Sequence, residues 1–184
     1  NHIFEPGEQS TIHFVLRHKM QQSPQHWAAV IMHHILGDHD FMQNRLFSHL
    51  RGKLGLIYGG STYTRSTKHS KHVTGYISVD VENVNKVIPE LKKLIKEMKD
   101  KGISAEELSI AKQNMLGSQL VSLHSSAAIA SYYFSQMLKG NSVNILQESI
   151  DAINKVTVEE VNAAAKDLLD PDQLCITILG GDAS

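Results

Sequence analysis

Along "STIHFVLRH", residues 10–18, Ile12, Phe14 and Leu16 fall on alternate positions, the period of a half-buried strand. "SPQHWAAVIMHHILGD" loses that alternation. Ser23 is placed to cap a helix, Pro24 suits its first position, and Gly37 marks its stop. A second helix is expected over about Met42–Lys53, where Leu46, Phe47, Leu50 and Leu54 recur at helical spacing before Gly55. From Leu56 the period returns to two. "LIYGGSTYTRST" and "HVTGYISVDV" are rich in β-branched and aromatic residues, and the polar "RSTKHSKH" between them suits a hairpin turn.

Val84, Val87, Ile88, Leu91, Leu94, Ile95 and Met98 then mark one face of a helix that ends at Gly102. Pro89 is accommodated if Asn85 caps that helix and kinks it otherwise. "SAEE", Ser104–Glu107, is a capping box. The helical pattern behind it runs to Gly140, about 50 Å at 1.5 Å per residue, so a break is expected near Gly117 or "HSSAA". A further helix is expected over Asn144–Ile153, and "TVEE", Thr157–Glu160, opens another that Asp170 and Pro171 stop. "QLCITILG" reads as a last strand. The order strand, two helices, strands, several helices, strand predicts an α+β fold: an antiparallel β-sheet with helices packed on one face.

These 184 residues suit a single domain, 1–184, with residues 1–8 as a linker remnant. With 18 basic against 19 acidic residues, no electrostatic footprint for nucleic acid is present. No apolar run approaches the roughly 20 residues of a membrane span, and residues 1–30 carry no signal-peptide pattern. The start, "NHIFEPGEQS", lacks an initiator methionine, as expected of a processed or excised piece. Cys175 is the only cysteine, so an internal disulfide is excluded; its strand context predicts a small buried hydrophobe rather than a nucleophile.

Eleven histidines raise a metal reading, strongest at "MHHILGDHD" with His33, His34, His39, Asp38 and Asp40. Adjacent His33 and His34 point about 100° apart on a helix, and Gly37 separates them from His39, so the spacing is poor for a zinc pair at i and i+4. His69 and His72 in "KHSKH" are flanked by lysines that repel a cation. Neither H-x-x-E-H nor H-E-x-x-H occurs, and no G-x-S-x-G elbow or phosphate-binding loop is found. Arg51 and Tyr58 stand seven positions apart, at a helix end and at the start of a strand. Both are donors suited to a carbonyl or oxyanion, but on spacing alone such a pair is ordinary.

"HHILGDHDFMQNRLFSHLRGKLGLIYGGSTY" resembles a stretch in the second domain of pitrilysin and insulinase type zinc peptidases, which include the mitochondrial processing peptidase. "KDKGISAEELSIAKQNMLGSQLVS" resembles that family's "GVTEEELERAK" region, and "INKVTVEEVNAAAKDLLDPDQLCITILG" its closing helix and strand. The resemblance spans nearly the whole chain from about Glu8. Two departures stand out: the turn reads "DHDFMQNRL" where the family is glycine and serine rich, and "LRGK" replaces the commoner "LREK".

The resemblance implies the metal-free half of a zinc metalloendopeptidase, inactive alone, with no cofactor in this chain. The implied partner is a homologous zinc-carrying domain with H-x-x-E-H, in the same parent chain or another subunit; the implied ligand is a peptide substrate. It also leaves open a homodimer and leans to the bacterial periplasm. By carry-over, Arg51 and Tyr58 would hold the peptide and the tetrahedral intermediate opposite the partner's zinc. The alternative is a catalytically dead scaffold or chaperone-like subunit of the same family; a weaker one is an autonomous metal-binding module built from the histidines.

Overall fold

A computed structural model describes residues 1–18, 26–38, 41–66 and 71–181. Five strands form one sheet in the order β1-β5-β2-β4-β3: β1 His2–Ile3, β2 Glu5–His18, β3 Ile57–Ser66, β4 Lys71–Asp80 and β5 Cys175–Gly181. β2 starts five residues before the alternation that marked it, and the segment expected as a linker contributes β1. The sheet departs from pure antiparallel pairing at one place. β1 runs beside β5 in the same direction, His2 opposite Ile178, while all other pairs are antiparallel.

The alternation read in the sequence sets the faces. Ile12, Phe14 and Leu16 of β2 and Val73, Ile77 and Val79 of β4 are buried under the helices. Thr11, Val15, Thr74, Tyr76 and Ser78, one position out of step, line the half-exposed other face. Phe14 lies opposite Gly75, and a Cβ at Gly75 would overlap the Phe14 ring. Cys175 is exposed, contrary to the buried position expected. Ile176 and Ile178 pair with Phe14 and Ile12 and take the inner side, so the period of two sends Cys175 outward.

Helix α1, His26–Gly37, is the centre of the helical layer, with Ala28, Ala29, Ile31, Met32, Ile35 and Leu36 all buried. It packs against β3 and against α4 (Ala105–Ser122), α6 (Ile145–Lys155) and α7 (Val158–Leu168). Its expected cap, Ser23 with Pro24, lies outside the described residues. The long stripe forms α3, Val84–Lys101, with its apolar face buried. The helix enters through a 3-10 turn at Val81–Asn83, so Asn83 rather than Asn85 precedes it, and Pro89 falls inside, where it has no N–H for the carbonyl of Asn85. Gly102 closes α3 at φ 72°, and a side chain there would run into Asn162.

Both capping boxes form, Ser104 with Glu107 and Thr157 with Glu160. Of the two expected breaks, the chain uses the second: Gly117 stays inside α4, and Ser125 caps α5, Ser126–Leu138.

Candidate functional site

The expected α-helix over Met42–Lys53 is not one helix. Asn44 caps a single short turn, α2 (Arg45–Phe47), its side chain accepting the Phe47 N–H at 2.7 Å. The next six residues, Ser48–Lys53, wind as a π-helix. Such wide turns are rare and collect at functional sites. Here the Leu54 N–H reaches back five residues to the His49 carbonyl at 3.1 Å, and the Leu56 N–H bonds the Leu50 carbonyl at 2.9 Å. Leu50 is fully buried, and Gly55 at φ 63° turns the chain into β3.

Two polar anchors hold this segment. Arg45 clasps Glu107 of α4 with Nε and Nη2 at 2.7 and 2.8 Å, and Nη2 also reaches the Gly102 carbonyl at 2.8 Å. Burial pushes the Glu107 carboxyl up, but Arg45 and the Ser104 N–H outweigh it and hold it below the usual range. His49 on the π-helix meets Glu90 of α3 at 2.8 Å, and that bond lowers the Glu90 carboxyl. Two residues beyond His49 stands Arg51, exposed, its guanidinium carbon 5.6 Å from the Phe47 ring centroid. Among the described residues no carboxylate holds it.

Tyr58 stands on a β-bulge. Ile57 pairs with Val79 and Gly59 with Ser78, so Tyr58 is the extra residue and Ile57 keeps the core position. The tyrosine is 48% exposed and donates its O–H to Asp80 Oδ1 at 2.7 Å. That bond, aided by the aspartate's charge, raises the phenol above its ordinary value, so it is a proton donor across the neutral range. The structure thus sets Arg51 and Tyr58 on adjoining elements with separate partners, Phe47 and Asp80; no hydrogen bond joins the two.

The histidines of "MHHILGD" are built into the core. His33 shares hydrogen bonds with Thr62 at 2.7 Å and Thr64 at 3.4 Å on β3. His34 joins Asp38 at 2.9 Å and Asn114 of α4 at 3.0 Å, and its ring stacks on Phe41. Both are buried, His33 at 6% and His34 at 3% exposure. His39, Asp40 and His69 lie outside the described residues. Among the described residues no group of three or more His, Cys, Asp or Glu side chains could hold a metal ion. No helix among them is long and apolar enough to cross a membrane.

Asp80 was not singled out in the sequence, because an aspartate that ends a strand reads as a turn former. The bulge that lifts Tyr58 carries no sequence mark beyond the diglycine after it. An open cavity of ≈ 390 Å³ beside the π-helix, lined in part by Arg45, His49, Lys53 and Glu97, includes neither Arg51 nor Tyr58.

An α+β domain with no metal-ligand set among its described residues, presenting an exposed arginine on a π-helix and a tyrosine on a bulge, matches known proteins along its length. Residues 2–115 match the family described as the peptidase M16 inactive domain, and the chain belongs to that family, the inactive domain of M16 zinc proteases. It is 28% identical to an uncharacterized zinc protease, YmxG, of Bacillus subtilis over 78% of this chain and 34% of the relative. It is 26% identical to the non-peptidase homolog YmxG of Helicobacter pylori over 96% of this chain and 41% of the relative. The chain therefore spans well under half the length of these relatives.

The fold is that of the M16 inactive domain of Pseudomonas fluorescens, with a TM-score of 0.86 at 22% identity over 100% of this chain and 43% of that one. The inactive peptidase domain of a zinc protease from Bordetella parapertussis matches at 0.77 and 15% identity, over 96% and 94% of the two chains.

Proposed function

We propose that this domain is the substrate-holding half of a zinc metalloendopeptidase, with Arg51 and Tyr58 gripping the peptide opposite a zinc-bearing partner half. The observation that supports this most is the placement of two strong donors, Arg51 with no carboxylate partner among the described residues and Tyr58 raised on a bulge, in the M16 inactive-domain family, of which one relative is named a zinc protease.

The partner half would carry the zinc and the hydrolytic step. This chain's part is binding and charge stabilisation. The Arg51 guanidinium stays cationic and offers several N–H groups to a peptide carbonyl; Tyr58 offers one O–H. A carbonyl that gains negative charge on attack bonds such donors more strongly than the ground-state amide does, and that difference accelerates the reaction. To reach the peptide, Tyr58 must exchange Asp80 for the substrate oxygen, which makes Asp80 the residue that parks the donor between turnovers.

The test is to pair this domain with its zinc-bearing half, in the parent chain or as a second subunit, and follow cleavage of a quenched fluorescent peptide. Arg51→Ala and Tyr58→Phe should each lower kcat/KM by about 10² or more, the scale of a lost oxyanion donor. Wild-type turnover in both variants, with the fold intact, removes the assigned role.

A second reading, a catalytically dead scaffold, is favoured by the Helicobacter pylori relative, which is named a non-peptidase homolog and matches 96% of this chain. The two readings separate on one point: whether the partner half carries H-x-x-E-H.

A further inference from the structure

We infer that His49 is the positioning residue for Arg51: its hydrogen bond to Glu90 of α3 sets the direction in which the guanidinium leaves the π-helix. The inference rests on the substrate-holding role proposed for Arg51. From Arg51 to Gly55 every residue is exposed. The guanidinium leans on the Phe47 ring, four residues back in the same segment, so that contact travels with the turn and cannot aim it. The Arg45 clasp on Glu107 lies ahead of the π-turn. What aims the arginine is what fixes the two residues before it.

Leu50 is fully buried, but an apolar contact is non-directional and leaves the turn free to rock about it. His49 supplies the second fixed point. Its Nε2 lies 2.8 Å from Glu90 Oε2, and a hydrogen bond at that distance is directional. Adjacent residues project to different sides of a helix, so a turn held at both 49 and 50 cannot rotate about either one alone. The far end of the tie is fixed too: Leu91 beside Glu90 is buried, and the same carboxylate oxygen accepts from Lys93 at 3.4 Å. The backbone leaves work for such a tie. The Leu54 N–H is shared between the carbonyls of His49 and Arg51, a wide closure and a narrow one, so the turn's own bonds do not settle its winding.

The test is peptide cleavage by this domain assembled with its zinc-bearing half, in two backgrounds. His49→Ala and Glu90→Ala should each lower kcat by about tenfold with KM nearly unchanged, because a misaimed donor is missed mainly in the transition state. His49→Gln keeps an N–H donor at similar reach and should recover most of the loss. In Arg51→Ala, adding His49→Ala should cost nothing more, since residues that act as one unit do not add. Lys96→Ala removes a different ion pair of α3 and should leave kcat at the wild-type value. A reading that needs no turnover is amide exchange at Leu54 in the same proteins, where Glu90→Ala should lower protection; unchanged protection overturns the tie. A tenfold loss that persists in the Arg51→Ala background makes His49 a support of the fold and overturns the inference. So does wild-type kcat in His49→Ala and Glu90→Ala beside a weakened Arg51→Ala, an outcome that leaves the role of Arg51 standing. Wild-type turnover in Arg51→Ala removes that role and this inference with it.

Discussion

Tyr58 gives its phenolic hydrogen to Asp80 Oδ1 across 2.7 Å, and so fastens the bulge of an edge strand to the adjacent C-terminal end of its neighbour. The bond raises the phenol above 10.0. A raised folded-state value means that the interaction contributes fully below the unfolded value and is lost as pH climbs through the folded one. Spectrophotometric titration of the tyrosines should show one late component that Asp80→Asn returns toward the ordinary range. Identical curves for the two proteins would remove Asp80 as the parking partner.

If Arg51 acts by the planar fork of its guanidinium, charge alone will not replace it. Arg51→Lys in the assembled enzyme should recover little of the loss seen in Arg51→Ala, remaining about tenfold or more below wild type in kcat/KM. Full recovery by lysine would mean that Arg51 supplies charge and not geometry.

Glu107 does two jobs, closing the capping box of α4 and gripping Arg45. Glu107→Gln should lower stability by about 1 to 3 kcal/mol at neutral pH, because Arg45 and the Ser104 N–H then lose a charged acceptor. The Glu107 carboxyl is held low in the folded chain, so its contribution is present above the unfolded value of 4.5 and fades as pH falls through the folded one. Urea melts should therefore show a gap between wild type and variant that narrows in acid. A gap of constant size would point to packing as its source.

A methyl group at Gly75 has no room beside the Phe14 ring. Gly75→Ala should cost about 1 to 3 kcal/mol, the scale of overpacking, and Phe14→Leu in the same chain should relieve part of it. Thermal melts of the two single variants and the double variant give the coupling directly; strict additivity would sink this account of the contact.

His33 and His34 spend their ring nitrogens on Thr62, Thr64, Asp38 and Asn114. The purified chain, dialysed against metal-free buffer, should retain far less than one zinc per molecule, and a chelator should leave its melting temperature unchanged. One tightly held zinc would reopen the metal-binding module.

Periodicity sufficed for most of the fold, because a buried face imposes its spacing on the sequence. Ile12, Phe14 and Leu16 could alternate only in a strand covered on one side, and Val84 to Met98 only on a helix with one buried face. Capping boxes were equally plain, since Ser104 and Glu107 act on each other over three residues. The π-helix was not legible. Leu46 and Leu50 satisfy the α and the wider winding alike, and what selects between them, the pull of Leu50 into the core and the ties from Arg45 and His49, is tertiary. Asp80 escaped for the same reason: its partner lies 22 residues away. Cys175 was misplaced because apolar neighbours on both sides hid which of them faced inward. The role proposed for Arg51 and Tyr58 comes from the family likeness alone, as the two residues engage separate neighbours in the structure.

The wide turn at Ser48–Lys53 also makes chain length a control on where Arg51 points. A π-turn encloses one residue more than an α-turn, so a single-residue deletion there, for instance of His49, could be absorbed by rewinding to the narrower helix. The deletion would be cheap for the backbone and leave the flanking segments in register, re-aiming only the side chains within the turn. Arg51 would leave its present heading while the core around Leu46 stayed in place. In lineages that shed a residue at this point, the domain would keep its shape while its exposed arginine pointed elsewhere.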